Sequence, residues 1–188
     1  MYKDIKPALV IILLIWLVFL ISIIVPSIEL RSMGIRPRTI DGLWGILFTP
    51  FLHGSWSHII SNTIPLLILL PILFTVYKSV KYRTLLISLL LGGLLVWLLA
   101  GSNSNHIGAS GIVFALIGFV ITAGIIKLNF LSILIAAGVV VLYGGATLKG
   151  FVPEEGISWQ GHLFGAMSGV FSAWVLRKSI RKKKEIQQ

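Results

Sequence analysis

Gly108-Ala109-Ser110-Gly111 is a small-residue turn carrying a single hydroxyl. It joins a polar run, Gly101-Ser102-Asn103-Ser104-Asn105-His106, to an apolar one, Ile112-Val113-Phe114-Ala115-Leu116. Taken alone, such a turn only permits a tight bend between loop and helix. Its surroundings give it meaning. Nearly everything around it is hydrocarbon-like, and the few polar groups set in that background include His58, Asn62 and His162.

The composition fixes the class. Of 188 residues 56% are hydrophobic, and six acids are too few to cover a soluble domain. The chain therefore reads as an all-α polytopic membrane protein. Its net charge of +10 does not form a patch interleaved with aromatics. The basic residues sit between and beyond the apolar runs, as bilayer-orienting residues do, so nucleic acid is not an expected partner. With no cysteine, disulfides, thiol catalysis and thiolate-bound metal are excluded.

Six spans are expected near 8–25, 58–77, 84–100, 110–126, 130–148 and 160–177, within one membrane domain covering 1–188. The first follows Lys3 and Lys6 and leads into Pro26-Ser27-Ile28-Glu29 with no small-x-small cleavage pattern, so it reads as a retained span. Pro65 and Pro71 predict a kink or local loosening in the second. With the N-terminus inside, twelve of the sixteen Lys and Arg fall on the inner side and four on the outer. Both termini are therefore expected in the cytoplasm, and 178–188 forms a basic tail suited to anionic lipid. Residues 26–57 make a long outer loop whose part 43–52 is too apolar for a solvated linker and too short to span, so it should lie in the interface. The span at 110–126 covers only about 25 Å. Ser110 should then sit below the outer surface, with 101–109 dipping in beside protein or a cavity.

All six acids, Asp4, Glu29, Asp41, Glu154, Glu155 and Glu185, lie in tails or loops. That disfavours paired-carboxylate proteolysis, a His-Glu-x-x-His metal helix and a proton-coupled relay. A metal site of His53, His58 and His162 would lack any carboxylate, so neither metal nor other cofactor is expected.

What remains at depth is serine, histidine and asparagine. His58 and Asn62, four apart, share a helix face. Gly161, Gly165 and Gly169 form one small-residue stripe, and Gly111, Ala115 and Gly118 another. If these stripes meet, Ser110 and His162 come within reach of each other. A serine hydroxyl needs a neighbouring base during attack, and neutral imidazole suits pH 7. The Ser110 N–H at a helix start, with His58 and Asn62, could serve an oxyanion. No buried acid is available to orient His162, so the pair would be a dyad. Phe114, one turn after Ser110, could pack on the imidazole. His53 and His106 read as loop residues, and His106 could compete as base.

Together these residues resemble the rhomboid family of intramembrane serine proteases. The likeness runs from about Leu43 to Val175. It includes His53, His58 and Asn62 in a His-x4-His-x3-Asn pattern, Gly108-Ala109-Ser110-Gly111 as Gly-x-Ser-Gly, and Gly161-His162 followed by Gly165. The resemblance implies a six-helix bundle with Ser110 as nucleophile and His162 as general base. It implies His58 and Asn62 around the oxyanion, with Ala109 and Phe114 in support, and Gly108, Gly111, Gly161, Gly165 and Gly169 in packing. His53 would be structural. Transmembrane protein substrates would be cut near their outer ends, in what is expected to be a bacterial cell membrane. The family's first loop usually carries Trp-Arg; here Trp44 precedes Gly45, which bears on that loop's packing and not on the chemistry. The rival readings are a catalytically inactive rhomboid-like protein that binds membrane clients, and a small transporter.

Overall fold

Three of the helices begin with a polar side chain on extended backbone that accepts a helix N–H. Thr39 accepts from Gly42, Ser55 from His58 and Asn129 from Ser132. Each supplies one of the acceptors that the first turn of a helix lacks. In the computed structural model, which describes residues 2–154 and 156–181, the helices are α1 (Tyr2–Ile24), α2 (Ile40–Phe48), α3 (Trp56–Val76), α4 (Lys81–Leu99), α5 (Ser110–Lys127), α6 (Phe130–Gly150), α7 (Trp159–Val175) and the short α8 (Arg177–Arg181). Glu155 and the tail residues 182–188 lie outside the described residues.

Five of these, α1, α3, α4, α5 and α6, are long and apolar enough to cross a membrane. The protein is an integral multi-pass membrane protein. Of the six expected spans, five meet this measure and the last, on α7, does not. α7 has 17 residues, and Gln160, Gly161, His162 and Gly165 in its first half lower its hydropathy. α1 begins at Tyr2, six residues before the apolar stretch that predicts it. Helix formation needs no apolar side chain, and the extra turn carries Asp4, whose carboxylate meets Lys78 Nζ at 2.7 Å. α3 runs unbroken through Pro65 and Pro71.

α5 is the centre of the bundle, with nine buried residues including Leu116, Phe119 and Val120. α3 contributes Leu66, Leu69, Leu70, Leu73 and Phe74 to the same core. Between helices in lipid there is little hydrophobic drive, so close backbone packing carries the association. α7 lies directly on α5. A Cβ on Gly165 would run into the Gly111 carbonyl, and one on Gly169 into that of Ala115.

The first loop is structured. Within 43–52 lie most of α2 and a 3-10 turn, Thr49–Phe51, with Trp44 66% exposed and Ile46 buried. α2 is a short, half-exposed apolar helix, too short to span a membrane. Its anchor is Arg38. The guanidinium donates to the carbonyls of Leu98 and Ala100 at 2.9 and 2.7 Å, and Trp97 Nε1 donates to Thr39 O at 2.8 Å. Arg38 thus caps the end of α4, and the loop is fastened without a Trp-Arg pair.

Candidate functional site

The loop before α5 is held from three directions. His106 pairs with Ile35 through two backbone bonds of 2.9 Å, Thr49 O accepts from Gly108 N–H at 3.0 Å, and the buried His53 accepts from Ala109 N–H at 3.4 Å. Gly108 turns the chain at φ +113°, a conformation that side chains with a Cβ rarely adopt. Ser110 then opens α5 with no side-chain cap from Ala109, leaving the N–H groups of the first turn without intrahelical partners.

Of the polar run 101–109, His106, Gly108 and Ala109 are buried, while Gly101, Ser102, Asn103 and Asn105 stay exposed. Only its second half dips inward. His53 and His106 are loop residues, as expected, but both are buried. Burial, aided for His53 by the neighbouring His58, holds each imidazole at about 4, well below the usual histidine value. Both rings are therefore neutral at pH 7.

Ser110, His162, His58, Asn62 and Phe114 all line one open cavity of about 1540 Å³. His106 lines it too, along with Glu154 and Lys149. The His162 ring lies parallel to that of Phe114, centroids 4.2 Å apart and planes 2° from coincidence. Its Nδ1 lies 2.9 Å from the carbonyl of Gly150. A carbonyl only accepts, so the neutral ring carries its proton on Nδ1, and the lone pair is on Nε2. Among the described residues Ser110 Oγ has no hydrogen-bond partner, His162 included.

In the same cavity, His58 Nδ1 accepts from Gly54 N–H at 3.5 Å, which leaves the proton on Nε2. That Nε2 faces Gly108, where a Cβ would stand 2.5 Å away. Asn62 is buried and gives one amide hydrogen to His58 O at 2.9 Å; its second hydrogen remains available.

The predicted packing glycines divide. Gly165 and Gly169 press on α5. A Cβ on Gly111 would make ordinary contact, 3.6 Å from Gly161 O, and one on Gly161 would meet Ser158 of its own helix start. Gly108 packs on His58, not between helices. Sequence reasoning missed the Gly150 carbonyl, a backbone acceptor at the end of α6 with no side-chain signature. It also missed what His106 touches: Ser158 through Nδ1 and Ser104 through Nε2. With both nitrogens engaged, His106 offers no free base. Among the described residues no three His, Asp or Glu side chains gather as metal ligands.

A multi-pass helical membrane protein that gathers Ser110, three histidines and Asn62 around one cavity belongs to a narrow class. The Rhomboid domain model matches residues 41–179, and the chain belongs to the rhomboid family. It is similar to an uncharacterised protein of Mycobacterium tuberculosis, 39% identical over 164 residues that cover 82% of this chain and 68% of that one. A Mycobacterium leprae protein, also uncharacterised, is 36% identical over 169 residues, 85% of this chain and 66% of its own. A Bacillus subtilis protein named "Putative rhomboid protease YdcA" is 26% identical over 133 residues, 69% and 65% of the two chains.

Proposed function

We propose that the chain is an intramembrane serine endopeptidase in which Ser110 and His162 act as a dyad on transmembrane segments of other proteins. The observation that carries this is the state of His162. Phe114 holds one face of the ring, and Gly150 O takes the Nδ1 proton, so Nε2 is the basic atom on the cavity that Ser110 shares. The backbone carbonyl does the orienting that an acid does in a triad.

In the proposed reaction Ser110 Oγ attacks the scissile carbonyl carbon while its proton passes to His162 Nε2. The oxyanion is met by the Ser110 N–H, His58 Nε2–H and the second Asn62 amide hydrogen, all fixed before substrate arrives. The imidazolium returns its proton to the leaving amine, giving an acyl-enzyme. Water then attacks the ester, with Nε2 again taking the proton, and the Ser110 hydroxyl is restored. The reaction needs no standing Ser110–His162 hydrogen bond, because catalytic hydrogen bonds tighten in the substrate complex.

In this reading α7 is a sixth crossing, both termini are cytoplasmic, and the cavity opens to the outer side of a bacterial cell membrane. The distribution of Lys and Arg supports the orientation. A fluorophosphonate probe should label the wild type in detergent and not Ser110→Ala, and His162→Ala should abolish cleavage of a single-span model substrate. Equal labelling of wild type and Ser110→Ala would end the nucleophile assignment.

A further inference from the structure

Ser158 stands at the N-cap of α7, where a serine hydroxyl ordinarily accepts an N–H from the first turn. Here it does not cap the helix. Its Oγ is turned outward to His106 Nδ1 in a short hydrogen bond. A stabilising local contact has been given up for one that crosses to another loop. The other face of the same imidazole, Nε2, lies 2.8 Å from Ser104 Oγ.

The direction of this chain can be worked out. Ser104 Oγ gives its single hydrogen to the carbonyl of Gly101, so toward His106 it can only accept. Nε2 therefore carries the ring proton, Nδ1 is bare, and Ser158 Oγ–H must donate to it. The sequence is Ser158 to His106 to Ser104 to Gly101 O, every hydrogen with one acceptor. The neutral ring that burial enforces on His106 is the form this order requires.

Both ends are anchored. The His106 backbone is bonded twice to Ile35, and its carbonyl also accepts from Thr49 Oγ1 at 3.0 Å. Ser158 O accepts the His162 N–H at 3.1 Å, so Ser158 sits one turn before the base. We propose that His106 is a positioning residue: with Ser158 and Ser104 it forms a directed hydrogen-bond chain that pins the start of α7 to the loop carrying Ser110, and so sets the separation of Ser110 and His162. This rests on Ser110 and His162 being the catalytic pair, but the chain itself can be tested without activity.

Long-range proton–nitrogen spectra of ¹⁵N-histidine-labelled protein in detergent, assigned with His106→Asn, report each ring's tautomer. His106 should show its proton on Nε2 and a bare Nδ1 whose resonance moves in Ser158→Ala. A proton on Nδ1, or an unmoved resonance, would overturn the chain whether or not the protein is a protease. For positioning, Ser158→Ala should slow fluorophosphonate labelling of Ser110 and lower kcat about tenfold or more, with KM unchanged. Ser158→Thr should restore the rate. The Ser158→Ala, His106→Asn double variant should be no slower than the slower single one. Wild-type rates in Ser158→Ala, or fully multiplicative losses in the double variant, would overturn the positioning role. A wild type that is never labelled would remove the dyad, while the spectra would still decide the link.

Discussion

The imidazole of His162 lies flat on the ring of Phe114, 4.2 Å between centroids, while its in-plane Nδ1 is held by Gly150 O. One contact fixes the ring plane and the other fixes rotation within it. Phe114→Leu keeps apolar bulk but removes the flat face, so the ring gains freedom to tilt. Aromatic pairs contribute about 0.5–1.5 kcal/mol beyond their area, so labelling of Ser110 should slow about two- to tenfold with little change in melting temperature. Unchanged labelling would mean Gly150 alone sets the ring.

Close packing of α5 on α7 predicts an asymmetry between glycines. Gly165→Leu would drive a side chain into the Gly111 carbonyl, whereas the methyl of Gly111→Ala would stand 3.6 Å from Gly161 O. Overpacking of this kind costs about 1–3 kcal/mol, so Gly165→Leu should lower the melting temperature in detergent and abolish turnover. Gly111→Ala should melt close to wild type. Equal tolerance of both would contradict the contact.

Helix positions were legible in the sequence because long apolar runs bounded by charge leave few alternatives. So were His58 and Asn62 as one helix face, and Ser110 as a helix start. The Gly150 carbonyl was not, since a backbone group leaves no trace in residue identity. The link from His106 to Ser158 was not legible either. It joins two irregular segments 52 residues apart, and neither periodicity nor spacing constrains such a pair. The anchor of the first loop was not legible for a related reason. Arg38 precedes Trp44 in sequence, yet it reaches its carbonyls because it takes a left-handed turn at φ +58°.

Arg38 should therefore matter to stability and not to chemistry. Arg38→Ala leaves the Leu98 and Ala100 carbonyls without their donor, at a cost of roughly 1–2 kcal/mol given its exposure. Arg38→Lys keeps the charge but loses the planar fork, and should fall between. Melting temperatures in detergent check the order; a wild-type value for Arg38→Ala would show that α2 and Trp97 hold the loop unaided.

His53 and His106 set an acid limit. Both are held at about 4 when folded, against about 6.5 when unfolded. Between those values the unfolded chain binds more protons. The stability of the neutral rings is thus complete above pH 6.5 and lost as pH falls toward 4, by up to about 3 kcal/mol for each histidine. Melting temperature should drop across that window, and more shallowly in His53→Gln than in wild type. A slope unchanged by the substitution would place the acid sensitivity elsewhere.

Gly108 is where backbone and chemistry meet most tightly. Its φ of +113° disfavours any side chain, and a Cβ would stand 2.5 Å from His58 Nε2 and 3.7 Å from Asn62 Nδ2. Gly108→Ala therefore forces either the loop to abandon its turn, moving the Ser110 N–H, or His58 to swing away. In the proposed mechanism each would remove an oxyanion donor, and loss of one such donor costs about 10²–10³ in kcat. Gly101→Ala in the same loop, with open space around it, should turn over like wild type. If Gly108→Ala cleaved at the rate of Gly101→Ala, His58 could not be aimed at the reacting carbonyl, and the oxyanion would have to be held by the helix start alone.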